Sequence, residues 1–91
     1  MTEHILRMQG PYWDAVAKGI KNFDIRRDDR GFQRGDILIL HRLEPNGYHL
    51  TMDGFGWESK PKEIRKRITY ILTGGQLGIE PGYVIMALKD E

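Results

Sequence analysis

The chain has 91 residues, no cysteine and a formal net charge of +1, with 14 basic and 13 acidic side chains. This length predicts a single domain over residues 1–91. The near-neutral charge argues against strong global attraction to nucleic acid, so a basic surface requires local clustering. The lack of cysteine excludes disulfides and Cys-based metal sites.

A first strand is predicted over residues 3–8. Ile5 falls on one of its faces, whereas Leu6 and Met8 fall on the other, so we expect burial on both sides. A helix is predicted over residues 11–18. One apolar stripe at helical spacing indicates the side that packs on the sheet, formed by Trp13, Val16 and Ala17.

A second strand is predicted over residues 20–27, directly after Gly19, which fits a left-handed cap at the end of the helix. Apolar and polar side chains alternate along this strand. We expect Phe23 and Ile25 to pack in the core. The opposite face would then present a polar row that contains Asp24 and Arg26.

Three further strands are predicted over residues 37–40, 63–73 and 83–88. The continuous apolar run at 37–40 is typical of a central strand that is buried on both faces, and Phe32 is expected to anchor the preceding loop to the core. The predicted core comprises Phe23, Ile25, Ile37, Ile39, Ile68, Tyr70, Val84 and Met86.

Residues 44–61, between the strands predicted at 37–40 and 63–73, give the weakest signal for secondary structure. We expect a hairpin turn at 45–47, where Asn-Gly favours positive φ, and a short strand at 48–52. A glycine-rich segment with two aromatic residues follows at 53–57. This stretch is interpreted as a local elaboration of the domain.

A sequence motif spans the end of the helix and the second strand. Gly19, Lys21, Asp24 and Arg26 stand in the order G-x-K-x-x-D-x-R. This order resembles the G-x-K-x-x-E-x-R signature of the ASCH domains, which belong to the PUA-like group, with Asp24 in place of the usual glutamate. The resemblance extends through GFQRGDILIL, RKRITYILTGG and GIEPGYVIMALK.

The chain thus resembles a small, largely uncharacterised bacterial and phage branch of the ASCH-like proteins over most of its length. Periodicity alone supports only an α+β class. The resemblance implies a small PUA-like mixed β-pseudo-barrel with one main helix near the N-terminus.

RNA or a nucleotide-like ligand is the partner that we expect, because PUA-like relatives commonly bind RNA. The expected cleft is lined by Lys21, Asp24 and Arg26 under the 27–35 loop, and Lys21 and Arg26 are expected to matter more for binding than for folding. Further cations that can hold phosphates are Arg27, Arg30, Arg34, Arg65, Lys66 and Arg67. Candidate stacking residues are Tyr48, Phe55, Trp57 and Tyr83.

One observation counts against this interpretation. Acidic residues are interleaved with the first basic cluster, namely Asp24, Asp28, Asp29 and Asp36. The alternative is therefore a solvated, self-neutralising surface, as is common for charge-rich faces.

A small amidohydrolase is the second candidate. Some ASCH relatives remove the acetyl group of N4-acetylcytidine with a lysine, a hydroxyl residue and a distant glutamate. The resemblance makes Lys21 a candidate catalytic residue and Glu80 a candidate distant carboxylate, but Asp24 stands where that branch has the hydroxyl. We therefore expect a binding domain rather than an enzyme.

A protein-interaction module that uses segment 53–57 is the third candidate. No cofactor or metal is expected, because His4, His41 and His49 lack ligand-like spacing. No apolar run approaches the ~20 residues that span a bilayer, and the N-terminus lacks the apolar core of a signal peptide. We expect a cytoplasmic location without membrane contact.

Overall fold

Five strands and one short helix form the part of the chain that the computed structural model describes, residues 1–43 and 62–91. The elements are β1 (Glu3–Gln9), α1 (Gly10–Ala17), β2 (Phe23–Arg27), β3 (Ile37–Leu43), β4 (Glu63–Thr73) and β5 (Tyr83–Asp90). The strands form one curled, mixed sheet in the order β1-β3-β4-β5-β2. The β1–β3 pair is parallel and the other pairs are antiparallel. The predicted α+β class is confirmed. The curled sheet forms a half-barrel, accompanied by one short helix. The expectations for 45–47, 48–52 and 53–57 lie outside the described residues.

The interior of the half-barrel is built from the central strands. All four residues of the 37–40 run are buried, and β3 lies between two partner strands, as predicted. Every second residue of β1 and β5 points into the same interior. The core cluster comprises Leu6, Met8, Val16, Phe32, Leu38, Leu40, Ile68, Val84, Met86 and Leu88.

Strand β1 departs from the prediction of two-sided burial. His4, Leu6 and Met8 are buried, whereas Ile5 is 57% exposed. The reason is that β1 lies at the edge of the sheet and no described element covers its outer face at Ile5. His4 takes the inward position because its ring meets the Asp36 carboxylate at 2.9 Å.

Helix α1 packs on β1 and β3 through part of its predicted stripe. Val16 is buried and Trp13 packs against the core, with its indole N–H donating to Leu40 O at 2.9 Å. Ala17 is exposed, contrary to the prediction, because it lies in the last turn. Gly19 has φ 76°, as expected for a left-handed residue after a helix.

Strand β2 has the opposite orientation to the one predicted. Asp24 is only 5% exposed and faces the interior, whereas Phe23 and Ile25 face outward with 43% and 52% of their surface exposed. The strand also begins at Phe23 rather than at residue 20, because the Ile20 and Lys21 N–H groups still bond to a helix carbonyl. The prediction that Phe23 and Ile25 belong to the core is therefore wrong.

Strand β4 has the predicted bounds but an unpredicted irregularity. Its register against β5 shifts between Ile68 and Tyr70. A bulge of this kind changes which side chains point inward, so Ile68 is buried while Tyr70 is 60% exposed. Tyr70 was predicted to be buried and is not. The remaining predicted core residues are confirmed: Ile37, Ile39, Ile68, Val84 and Met86.

Candidate ligand-binding site

The free edges of β1 and β2 approach each other across a gap, which we call the seam. Among the strands that the structure describes, each of these two has a partner on one side only. Arg26 Nη2 donates to Arg7 O at 3.4 Å, and Arg30 Nη1 donates to Ile5 O at 3.0 Å. Two guanidinium groups therefore link the edges where a closed barrel would have backbone hydrogen bonds.

Asp24 is the buried anion at the seam. Its Oδ2 accepts from Arg26 Nε at 2.6 Å, and its Oδ1 lies 3.8 Å from Lys21 Nζ. A buried carboxylate is tolerated when cations and hydrogen bonds compensate its lost hydration. Asp24 therefore holds both motif cations in place, and Arg26 has a structural role in the fold.

A pocket of about 380 Å³ opens at the start of β2, within the size range of small-molecule sites. Tyr12 of α1, Lys21 and three consecutive residues of β2, Phe23, Asp24 and Ile25, line it. Lys21 Nζ lies 5.5 Å from the centroid of the Tyr12 ring and 4.9 Å from that of the Phe23 ring. These distances are typical of cation–π contacts. Both rings keep exposed surface, 54% for Tyr12 and 43% for Phe23.

The backbone of β2 also faces this pocket. Leu88 N–H donates to Asn22 O, and hydrogen-bonded pairs alternate along an antiparallel ladder. Phe23 and Ile25 therefore direct their backbone groups away from β5, toward the free edge. Phe23 O accepts from Lys21 Nζ at 2.9 Å, in agreement with this assignment. The pocket thus combines an aromatic lining, one ammonium group and the backbone groups of a strand edge.

Two other predicted cations of the first cluster, Arg30 and Arg27, make contacts of different kinds. Arg30 reaches β1, as described above, and lies 3.8 Å from Asp29. Arg27 stacks its guanidinium on the Tyr83 ring, 5.4 Å from the centroid. The structure therefore brings Lys21, Asp24 and Arg26 together, and places Arg27 and Tyr83 as a separate pair.

The second predicted cluster is largely neutralised by carboxylates. Arg65 bonds to Glu3 at 2.6 Å and to Glu91 at 2.5 Å. The hydrogen bonds that Arg65 donates to the two carboxylates, first that of Glu91 and then that of Glu3, raise the pKa of Arg65. Lys66 pairs with Asp90. Arg67 donates to a backbone carbonyl, Gly35 O, at 3.2 Å.

Glu80 lies far from Lys21. Asn22, which follows Lys21, bonds to Leu88 near the end of β5. Glu80 precedes Tyr83, which begins that strand. Five strand residues separate these points by roughly 16 Å. The structure does not bring the candidate distant carboxylate to the candidate catalytic lysine. Tyr48, Phe55 and Trp57 lie outside the described residues.

Sequence reasoning missed Tyr12, Phe23 and Ile25 as lining residues of the pocket. Tyr12 lies outside the apolar stripe of the helix, and this position indicates a ring that does not pack in the core. Phe23 and Ile25 carry no such signal, because apolar residues in an alternating strand are expected to face the core.

A buried histidine–aspartate pair lies on β1 and at the start of β3, in the interior behind the 27–35 loop. Asp36 accepts from His4 at 2.9 Å, from Thr2 N–H at 3.1 Å and from Gln33 N–H at 3.0 Å. Burial by itself would raise the pKa of Asp36, but these hydrogen bonds outweigh it and hold the pKa below its ordinary value. The edge of the His4 ring packs on Phe32.

Replacing Asp36 with Asn should lower the free energy of unfolding at neutral pH by about 2 kcal/mol, the range for hydrogen bonds to a charged group. Because the pKa is lower in the folded state, the carboxylate stabilises the fold above its ordinary value of 3.8. This stability is lost as the pH falls through the folded pKa. Urea unfolding between pH 3 and pH 7 should therefore give a flatter profile for Asp36→Asn than for the wild type.

Asp29→Asn is the control, since the Asp29 side chain is 68% exposed and should leave the profile unchanged. The Asp36→Asn variant should still lose some free energy of unfolding as the pH falls. That loss should come from the other carboxylates whose pKa is lowered by a hydrogen bond from a cation. These are Asp14 with Arg42, Asp90 with Lys66 and Glu91 with Arg65. A variant profile parallel to that of the wild type would contradict the role of Asp36.

Residues 1–43 and 62–91 contain no cluster of three or more His, Cys, Asp or Glu side chains with metal-binding geometry. The same residues contain no helix that is long and apolar enough to cross a membrane.

Two comparisons place the chain among known proteins. A family model described as a domain of unknown function (DUF3850) matches residues 3–88. A stretch of 38 residues is 42% identical to an uncharacterized 12.9 kDa protein in the GpA 3′ region of Escherichia phage P2. That match covers 42% of this chain and 35% of the phage protein. The phage relative agrees with the phage association expected from the sequence.

Proposed function

The chain belongs to the DUF3850 family of domains of unknown function, and we propose that it binds a nucleotide, free or unpaired within single-stranded RNA. The binding site is the pocket of Tyr12, Lys21, Phe23, Asp24 and Ile25. In this proposal the base packs on the aromatic rings and Lys21 binds the phosphate.

One observation carries the proposal: an ammonium group lies over two partly exposed aromatic rings, and all three groups line one pocket. Lys21 Nζ is within 5.5 Å of both ring centroids. Stacking on an aromatic side chain contributes about 1–3 kcal/mol per base and tolerates any base. The lining combines aromatic rings with this ammonium, and the Asp24 carboxylate is already bonded to Arg26, so the pocket suits a ligand with one flat apolar part and one anionic part.

The backbone of β2 supports the same ligand class. Phe23 and Ile25 direct N–H and C=O groups to the free edge, and Watson–Crick edges of bases carry both donors and acceptors. Single-stranded RNA is recognised through such unpaired edges and through stacking.

The resemblance to the ASCH domains also supports the proposal. Our proposal includes the assignment of the chain to the PUA-like group. Of the four motif residues, Lys21 and Asp24 line the pocket, and Arg26 binds the buried Asp24. Gly19 provides the left-handed turn that delivers the chain from α1 to the pocket. Because Arg65 and Lys66 are paired with carboxylates, the proposal is limited to one nucleotide at this pocket and does not extend to a broad basic surface.

Lys21→Ala should weaken the binding of ribonucleoside 5′-monophosphates roughly tenfold, because a charge-assisted contact to the phosphate is lost. Isothermal titration with each of the four monophosphates measures this. Lys18→Ala is the matched control: it removes an exposed lysine from the same connection and should leave the affinity unchanged. The melting temperatures of both variants should stay close to that of the wild type.

No binding of any monophosphate by the wild type, or equal affinity of the Lys21→Ala variant, would overturn the proposal. The amidohydrolase alternative has less support, because Glu80 lies at the opposite end of β5. Turnover of N4-acetylcytidine that Lys21→Ala abolishes would restore it. The protein-interaction alternative was based on segment 53–57, outside the described residues.

A further inference from the structure

The outer face of β2, β5 and the second half of β4 is an apolar surface that no element of residues 1–43 and 62–91 covers; we call it the outer platform. It has two cross-strand rows, Phe23–Ala87–Tyr70 and Ile25–Ile85–Leu72. Phe23, Ile25 and Tyr70 are 43%, 52% and 60% exposed. Contiguous exposed apolar surface of this kind marks an interaction site in a soluble protein.

The charged side chains on the outer platform itself are cations. The described residues of β2, β5 and residues 70–73 of β4 that share this face include no Asp or Glu: they are Phe23, Ile25, Arg27, Tyr70, Leu72, Tyr83, Ile85, Ala87 and Lys89. Three cations border it: Lys21 over the Phe23 ring, Arg27 over the Tyr83 ring, and the exposed Lys89. An apolar, aromatic surface bordered by cations is complementary to a chain of bases joined by phosphates.

We propose that the outer platform binds single-stranded nucleic acid and that a second unpaired base stacks on Tyr70. This inference rests on the proposed function, because the first base occupies the pocket beside Phe23. Phe23 belongs to both surfaces, so the pocket and the outer platform are continuous.

The spacing of the two rings fits splayed bases. Phe23 and Tyr70 lie on strands that flank β5, with the small Ala87 between them. Two strand spacings separate them by about 10 Å, which is too far for both rings to contact one base. Sheet surfaces that bind RNA through exposed aromatic residues stack two or three successive bases in this way.

A second copy of the chain is the other occupant that an apolar face suggests. In a two-fold dimer the same patch faces itself. Lys21, Arg27 and Lys89 of one copy would then meet the same border of the other, and like charges at an interface are unfavourable. The cations favour a polyanion over a second copy.

The test compares a mononucleotide with a short oligonucleotide. Uridine 5′-monophosphate and a uridine tetranucleotide are titrated against the wild type, Tyr70→Ala and Tyr70→Phe. The wild type should bind the tetranucleotide more tightly than the monophosphate, and Tyr70→Ala should weaken tetranucleotide binding roughly tenfold. Tyr70→Phe keeps the ring and should retain the affinity. All three proteins should bind the monophosphate equally.

Salt dependence supplies a second readout. Each added phosphate contact should steepen the slope of log affinity against log salt by about 0.7, so the tetranucleotide slope should exceed the monophosphate slope. Should Tyr70→Ala fail to fold, Tyr70→Thr, which suits a strand, takes its place.

The outcomes separate the two proposals. Monophosphate binding without any gain for the tetranucleotide overturns the outer platform and leaves the pocket standing. Tetranucleotide binding that depends on Tyr70, without monophosphate binding, overturns the pocket alone. A wild-type dimer in sedimentation experiments that Tyr70→Ala converts to a monomer overturns the outer platform in favour of a second copy.

Discussion

Truncation of Ile68 to alanine should lower the free energy of unfolding by about 2–5 kcal/mol. Ile68 is 0% exposed and belongs to the core cluster at the strand position just before the bulge of β4. Its backbone also fixes the chain that leads into β3, since Ile68 N–H donates to Asp36 O at 2.8 Å. Removing three carbon atoms there leaves a cavity that rigid strands on both sides cannot close. Urea unfolding followed by circular dichroism measures the loss.

Ile25→Ala is the matched control, because it deletes the same atoms from the same residue type. Ile25 is 52% exposed on β2, so its truncation should cost less than about 1 kcal/mol. The pair of variants tests the orientation of β2 directly. An equal loss in the two variants would mean that Ile25 faces the core and that Asp24 faces the solvent.

The orientation of β2 is where sequence and structure differ most. Its first four residues alternate between apolar and polar, and such a pattern defines two faces without saying which one is inside. Normally the face that carries the apolar residues packs against the core. Here the ion pair of Asp24 with Arg26 and the bond from Arg26 to β1 require the polar face to point toward the seam. That requirement comes from β1, 19 residues away in the chain, and no local pattern encodes it.

The central strands were predictable because their signal is redundant. A continuous apolar run such as residues 37–40 is buried whichever face is considered, so its position in the interior of the sheet follows from composition alone. The bounds of β4 were also predicted correctly. The bulge between Ile68 and Tyr70 was not, because one extra residue reverses the alternation without changing composition.

The candidate site also has some residues that the sequence predicted and others that it did not. Lys21 and Asp24 were predicted because a motif places a cation and a carboxylate three residues apart. Phe23 and Tyr70 were missed because their exposure depends on which face of β2 and β4 is outside, whereas Tyr83 of the outer platform was predicted as a stacking residue. Phe23 and Tyr70 were assigned to the core, and their exposure is the observation that makes a stacking surface possible.

Arg26→Ala should lower the free energy of unfolding by about 3 kcal/mol or more, although Arg26 lies in a motif associated with binding. The Asp24 side chain is 7% exposed, and Arg26 Nε is its nearest cation at 2.6 Å. Removing the guanidinium leaves a buried carboxylate with Lys21 at 3.8 Å as its remaining charged partner, and breaking a buried ion pair costs ~3–5 kcal/mol. It also removes the bond to Arg7 O that joins β2 to β1.

A double-mutant cycle with Asp24→Asn separates these two contributions. If the unpaired carboxylate causes the loss, Asp24→Asn should recover much of the stability of Arg26→Ala, because no buried charge is left. If the bond across the seam dominates, the two losses should add. Arg30→Ala is the control: Arg30 also reaches β1, but its side chain is 44% exposed, and its removal should cost less than about 1 kcal/mol. An Arg26→Ala protein as stable as the wild type would show that the seam is held without this guanidinium and would return Arg26 to a role in ligand binding alone.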